Sequence, residues 1–427
     1  MKAIVFDLDG TLTDSASGII RAVRYAIEKM QVEMPSDELI SKFLGPPLAH
    51  SFREYMGFSH EEAVKATEYY REVYNTEYWK DNKVYPGIRQ LLISLKKNGY
   101  RLYVVTGKPM AIANKVIKHF KLDHFFDRII GPDENQYYDG KCASLNAALD
   151  GNKKAIMVGD RASDILGARE YGIPVVYTLY GYGSIEEYNK LGADYIVNNV
   201  EGLYDVLNCP KAKYKGYFIS IEGNDGSGKS TQRDLLREKL VNFGFDVYAT
   251  REPGGTPLSE KIRGLLLDRE NNSMTSLTEA YLFASARAQH VEEVIMPAIK
   301  RGELVLSDRF VDSSVAYQGA GHELGMELVA KLNAPAVNGA MPDTTVYLDL
   351  PFENAMRRRQ ENSKADRIEL YDYSFHERAQ NAFHKLVKDN PERFISVDAT
   401  SDAETISENI FASVIERLID KEKVLCG

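Results

Sequence analysis

Short apolar runs alternate with longer stretches of helical periodicity along the whole chain. In the first half the runs are Ala3–Phe6, Leu102–Val105, Ala155–Val158 and Val175–Tyr177. In the second half they are Tyr217–Ile221, Val247–Ala249, Leu304–Leu306, Thr345–Leu348 and Phe394–Val397. Strands interleaved with helices predict α/β folds with mostly parallel sheets flanked by helices. The texture changes between about Ser15 and Asn82, where Ile19, Ile20, Val23 and Ile27, and later Val64, Thr67 and Arg71, recur at helical spacing. That spacing predicts a helical insertion directly after the first strand. No internal repeat or low-complexity tract interrupts the pattern.

The pattern also breaks once. Val200–Leu207 reads as a terminal helix; the polar, basic stretch that follows it contains Pro210, and a new strand then begins. A chain of 427 residues exceeds what one compact core accommodates. The expected organisation is therefore a first domain over 1–208, with its insertion at about 15–82, a linker at 209–215, and a second domain over 216–427.

Composition narrows the class. Hydrophobic residues make up 44% and charged residues 27%, as in a globular protein. No apolar stretch approaches the roughly 18–20 residues of a membrane span. Met1–Asp7 reads as a strand entering an acidic loop, not as a signal peptide. Three widely spaced cysteines, Cys142, Cys209 and Cys426, suit a reducing cytoplasm. A net charge of -9 argues against general nucleic-acid binding.

Two loops carry the chemistry. The first is Asp7-Leu8-Asp9-Gly10-Thr11, at the exit of the first strand. One carboxylate can attack a phosphate ester, and a second, two residues on, can protonate the leaving oxygen and then deprotonate water. Two carboxylates facing a phosphate require a divalent cation, and oxygen ligands favour Mg²⁺. Asp160 and Asp164 follow another apolar strand and supply further carboxylates; Thr106 ends a third and can donate to a phosphate oxygen, while Lys141 can neutralise charge. Taken singly, Asp-x-Asp is more often a turn or a cap, Thr106 more often a helix N-cap and Lys141 more often a solvated surface lysine, while Asp160 or Asp164 alone can serve merely as a helix cap.

Taken together and in this order, these residues resemble the haloacid dehalogenase (HAD) phosphatase superfamily over 1–208. The resemblance implies a Rossmannoid parallel sheet with a small helical cap, Asp7 as nucleophile and Asp9 as acid/base. It also implies Mg²⁺ held by Asp7, Asp9 (through its backbone carbonyl), Asp160 and Asp164. Leu44–Leu48 resembles a substrate-selecting cap loop. Gly181-Tyr182-Gly183 and Gly192–Ile196 resemble the phosphoglycolate-phosphatase-like branch, which also holds 5'-nucleotidases. The implied substrate is a small phosphomonoester.

The second loop, Gly223-Asn224-Asp225-Gly226-Ser227-Gly228-Lys229-Ser230-Thr231, lies between a strand and a helical run. That context predicts a P-loop: backbone N–H groups around phosphates, Lys229 on the β/γ-phosphates and Ser230 on Mg²⁺. Beyond it stand Arg251-Glu252-Pro253-Gly254-Gly255-Thr256, Phe283-x-x-x-Arg287, Asp308-Arg309-Phe310, Tyr317-Gln318-Gly319 and Asp366-Arg367-Ile368-Glu369. Arginines at strand ends suit an acceptor phosphate, and Phe283 with Arg287 one helical turn apart can face one pocket. Singly, Phe283 is equally core and Arg287 equally a surface ion pair.

These motifs resemble the thymidylate kinase family over about 216–424. The resemblance implies a P-loop NTPase-type sheet, ATP as donor, dTMP as acceptor, Mg²⁺ and a homodimer through this half. Carried over residue by residue, Asp225 meets the sugar, Arg251 and Arg309 the acceptor phosphate, Phe283 and Arg287 the base, and Ser313 and Tyr317 the 2' side; Asp308 assists Mg²⁺. Gly226 stands where one branch carries an arginine, which moves the catalytic cation to a lid. There Arg357, Arg358, Arg359, Lys364 and Arg367 are candidates, Arg367 foremost, and Asn362 falls where an arginine is expected. Three other readings make the first half a 5'-nucleotidase, the first half a non-catalytic nucleotide-binding regulatory module, or the second half a different nucleoside monophosphate kinase.

Overall fold

The structure, a computed structural model, describes residues 2–133, 140–360 and 366–426. It divides into two compact units, Met1–Ala212 with Asn242–Gly244 and Glu422–Gly427, and Lys213–Val241 with Phe245–Lys421.

The first unit is built on a six-stranded parallel sheet. Its order is Arg128–Ile130, Arg101–Val105, Ala3–Phe6, Ala155–Gly159, Val175–Thr178 and Tyr195–Val197. Strand order in the chain therefore reverses between Ala3–Phe6 and Ala155–Gly159. In open parallel sheets a ligand crevice forms at the carboxyl ends of such a pair. Phe6 is in register with Val158, so Asp7 and Asp160 leave the sheet side by side. All four residues of Ala3–Phe6 are buried, as a strand covered by helices on both faces requires. The two edge strands that the apolar pattern does not mark, Arg128–Ile130 and Tyr195–Val197, are three residues long and half exposed.

The predicted insertion is a set of helices, Ala16–Lys29, Asp37–Ser41, Leu48–Met56 and His60–Tyr74. A two-residue antiparallel pairing of Thr13–Asp14 with Lys83–Val84 carries the chain out of the core and back. The buried face of His60–Tyr74 is Ala63, Ala66, Thr67, Tyr70 and Tyr74, whereas Val64 is exposed. That buried face is made of small and aromatic residues, and the helix packs against Ala16–Lys29.

The second unit has a five-stranded parallel sheet ordered Val247–Arg251, Leu304–Asp308, Tyr217–Gly223, Thr344–Asp349 and Phe394–Asp398. Register pairs Arg251 with Asp308 and Asp308 with Ile221, which brings three strand exits to one edge. The helix Lys229–Asn242 starts at the end of the glycine loop. Among the described residues no helix is long and apolar enough to cross a membrane.

Candidate active sites

At the crevice of the first unit, Asp7, Asp160 and Asp164 each bring a carboxylate oxygen within 4.8 Å of the others, all three buried. Asp160 accepts from Thr11 Oγ1 at 3.0 Å and from the Tyr182 N–H at 2.8 Å. Burial, followed by the charges of Asp7 and Asp164, pushes Asp160 well above the usual carboxylate range. Burial also raises Asp164, against the opposing pull of Lys141. Lys141 Nζ lies 2.9 Å from Asp7 Oδ2 and also donates to Asp164. One lysine against three clustered carboxylates leaves net negative charge on hard oxygen donors, a fit for Mg²⁺. Gly10 makes this approach possible: at φ +80°, a Cβ there would stand 2.2 Å from Asp160 Oδ2.

Asp9 is placed differently. Its side chain stays out of the three-carboxylate cluster; Ser15 Oγ donates to Oδ1 at 2.7 Å and Lys108 Nζ to Oδ2 at 2.6 Å. The Asp9 carboxylate thus faces Ser15 and Lys108 instead of the cluster. Lys108 also donates to Tyr74 Oη of the helical insertion at 2.7 Å. Thr106 is buried and its Oγ1 accepts from the Lys108 N–H at 3.2 Å, leaving the hydroxyl proton for a ligand. Lys108 is not among the residues expected at this site; its position just after Thr106-Gly107, at the exit of Arg101–Val105, is the one sequence signal for it. The cap loop is tethered at Leu44, whose carbonyl accepts from Arg161.

In the second unit the glycine loop wraps its own lysine: Lys229 Nζ donates to the Asn224 carbonyl at 2.8 Å and lies 3.7 Å from Asp225 Oδ1. Ser230 Oγ donates to Asp308 Oδ2 at 2.6 Å, which joins the two expected metal-binding groups. Ser227 Oγ is buried without a hydrogen-bond partner among the described residues, a fit for a phosphate oxygen. Gly223 and Gly228 complete the loop, and Thr231 lies exposed in the first turn of the helix. Gly226 has φ +86°, and a Cβ there would meet the Ala355 carbonyl at 2.3 Å, so this backbone has no room for the arginine of the other branch.

Beside the loop is a cleft of about 510 Å³ that opens to solvent, its wall including Asp225, Arg263, Phe283, Arg309, Ser313 and Tyr317. Arg309 donates to Asp225 and, at 2.9 Å, to Ser313 Oγ. Although burial works the other way, Arg309 and Lys229 hold Asp225 below the usual carboxylate range. Behind the wall, Glu222 accepts from the Phe310 N–H at 2.7 Å and from Ser313 Oγ at 2.5 Å. It fixes the turn in which Arg309 takes φ +69°.

Three of the expected arginines stand elsewhere than in the cleft wall. Arg251 does not line the cleft; half exposed, it holds Glu260 at 3.0 and 3.1 Å. Arg263 lines the cleft in its place, donating to the Pro253 carbonyl at 2.8 Å. Burial, then the charges of Arg251 and Arg309, lower the pKa of Arg263. Nothing in the run around Arg263 distinguishes it from a solvated helix arginine. Arg287 is also outside the lining: fully buried, it donates to Glu252 Oε2 at 2.8 Å, to Ser314 Oγ at 3.1 Å and to Asn333. Arg367, expected as a catalytic cation, is buried in a hydrogen-bonded cluster with Glu279 and Tyr371. Arg357 is exposed and Arg358 donates to the Ala399 carbonyl at 3.0 Å. Asn362, Lys364 and the side chain of Arg359 lie outside the described residues.

Comparison with known proteins divides at the same place. A family model described as Thymidylate kinase matches residues 221–410, and one described as Haloacid dehalogenase-like hydrolase matches residues 4–178. The chain is 48% identical over 204 residues to the thymidylate kinase of Caldanaerobacter subterraneus subsp. tengcongensis, covering 48% of this chain and 97% of that protein. It is 44% identical over 206 residues to the thymidylate kinase of Enterococcus faecalis, covering 48% and 97%. Among solved structures it is similar to a predicted phosphatase from Clostridium acetobutylicum, at 40% identity and TM-score 0.46, covering 48% of this chain and 98% of that one.

Proposed function

The chain belongs to the thymidylate kinase family through its C-terminal half and joins it to a haloacid dehalogenase-like hydrolase; on that premise we propose how its residues divide two phosphoryl chemistries between them. Residues 1–208 are read as the phosphomonoester hydrolase, 209–215 as the linker and 216–427 as the kinase.

In the kinase, ATP is the donor and dTMP the acceptor. The observation that supports this best is the cleft itself: the P-loop on one side, Arg309 and Arg263 at the phosphate end, and Phe283 in the wall. Lys229 leaves the Asn224 carbonyl to hold the β/γ-phosphates, while Ser230 and Asp308 would hold Mg²⁺, which neutralises charge on the phosphates. Asp225 gives up Arg309 to the acceptor phosphate and takes the sugar hydroxyl. Transfer then depends on positioning and charge neutralisation. Comparing dTMP, dUMP and CMP as acceptors tests the assignment; preference for CMP would overturn it.

In the hydrolase, Asp7 attacks the phosphorus and forms an aspartyl-phosphate. Asp9 protonates the departing oxygen and then deprotonates the water that releases phosphate. Lys141 and Thr106 hold the phosphoryl oxygens. Asp7, Asp160, Asp164 and the Asp9 carbonyl would hold Mg²⁺, which offsets the repulsion between nucleophile and phosphate. A dTMP phosphatase would undo the substrate supply of the kinase, so we assign the hydrolase to other phosphate esters. Phosphate release by the parent and by Asp7→Asn, measured on a panel of monophosphates, tests this; release from dTMP comparable to the best ester would overturn it.

A homodimer through the kinase half is supported by exposed Leu258 and Leu265 on Pro257–Leu267 and Leu277 and Tyr281 on Ser276–His290. Three free cysteines support a reducing compartment, the cytoplasm.

A further inference from the structure

Behind the acceptor cleft sits a carboxylate that no step of phosphoryl transfer uses. Glu279 is fully buried, yet four donors converge on it. Gln318 Nε2 lies at 2.8 Å, Arg367 Nη2 at 2.6 Å, and His322 Nε2 and Tyr371 Oη both at 3.1 Å. Burial alone would raise its pKa; the hydrogen bonds and charges of His322, Gln318 and Arg367 outweigh it and hold Glu279 at about 2.

Arg367 extends the cluster. Its Nε donates to the Leu266 carbonyl at 2.8 Å, its backbone N–H to the Leu267 carbonyl at 3.2 Å, and its Nη1 to Tyr371 Oη at 2.7 Å. The pair thereby joins four separate stretches of the chain, the helices Pro257–Leu267 and Ser276–His290, the π-helical segment Val315–Gly321, and Ile368–Leu370. Each of the four contributes to the cleft wall, through Leu267, Phe283, Gln318 and Ile368. None of them supplies Lys229, Ser230 or Asp308, the groups on the donor side.

We propose that Glu279 and Arg367 are positioning residues for the acceptor nucleotide: a buried pair that holds the four wall segments in one binding geometry without touching the ligand. A wall already assembled spares the acceptor the cost of ordering it, so losing the pair weakens acceptor binding. The donor site, built on the P-loop, is untouched. A glutamine at 279 keeps the shape but cannot accept from all four donors. Arg367, read from the sequence as a catalytic cation, acts in this arrangement through the wall.

The inference rests on the kinase reading, and the experiment separates the two. The parent's acceptor panel comes first and tests that reading. The variants are then compared on whichever acceptor the parent phosphorylates. Steady-state kinetics of the full chain are measured for Glu279→Gln, Arg367→Met, Arg367→Lys, His322→Phe and Ile299→Val, varying acceptor and ATP in turn. Glu279→Gln and Arg367→Met are expected to raise the acceptor KM about tenfold or more while the ATP KM stays within about twofold. Arg367→Lys recovers part of the loss. His322→Phe, which keeps the ring against Tyr371 and removes one donor, gives an increase of about threefold. Ile299→Val, a truncation in a separate part of the core, lowers the melting temperature and leaves both KM values in place. A lowered melting temperature with an unchanged acceptor KM in the Glu279 and Arg367 variants, or equal increases in both KM values, would overturn the proposal.

Discussion

Lys141 Nζ lies 2.9 Å from Asp7 Oδ2 while also donating to Asp164, so a single cation serves two of three clustered carboxylates. Removing Asp7 and removing Lys141 should therefore have different consequences. Asp7→Asn takes away the nucleophile and is expected to lower phosphate release by roughly 10³-fold or more. Lys141→Met leaves the nucleophile in place but uncompensated, and its loss should be largest in turnover. Kinase activity of both variants, measured in the same preparations, should stay within about twofold of the parent.

Metal binding should be visible without turnover. Asp160 is driven up by burial and by two neighbouring carboxylates, so the metal-free cluster is self-repelling. Asp160→Asn is expected to raise the melting temperature of the metal-free protein, by about 2–4 °C for each kcal/mol gained, and to cancel most of the stabilisation that added Mg²⁺ gives the parent. Thermal unfolding with Mg²⁺ and with chelator checks both halves of this statement. Stabilisation of the variant by Mg²⁺ equal to that of the parent would remove Asp160 from the ligand set.

Glu222 sets a pH dependence. Burial, then the charge of Asp312, push its pKa up to about 8, against Ser313, Arg309 and the Phe310 N–H, from an ordinary value of 4.5. Between those values the folded chain keeps a proton that the unfolded chain has lost, so this group's contribution to stability falls as pH rises through the window. Glu222→Gln mimics the protonated form and removes that slope. The melting temperature of the variant relative to the parent should rise from about pH 5 to about pH 8; a difference independent of pH would refute the assignment.

Gly226→Arg tests the P-loop. Installing the other branch's residue should not transfer its catalytic role, because φ is +86° and the Ala355 carbonyl is 2.3 Å from the required Cβ. The expected result is a loss of at least about 1–2 kcal/mol of stability and lower turnover. Denaturant unfolding and kinase assays read the two effects.

Arg263→Ala separates two arginines that look alike in the chain. Arg263 lines the cleft and Arg251 is paired with Glu260 outside it. Arg263→Ala is expected to raise the dTMP KM by about tenfold or more, and Arg251→Ala by less. Acceptor titrations of the two variants decide it.

The amino-acid sequence by itself determined the two reaction classes and the two sheets. Those signals are local: an apolar run, a glycine turn and a carboxylate or lysine within a few residues declare a strand exit and its chemistry wherever the unit packs. Asp7, Asp160, Lys229 and Ser230 stand where that logic puts them, because a parallel sheet delivers all its strand exits to one edge. Only the tertiary structure decided which arginine meets which carboxylate. Arg367 and Glu279 are 88 residues apart, Arg309 and Asp225 84, and Lys108 and Asp9 99. A guanidinium on a helix reads the same in sequence whether it faces solvent, a nucleotide or a buried glutamate. Its partner is fixed by how distant segments pack, and burial then makes that pairing compulsory.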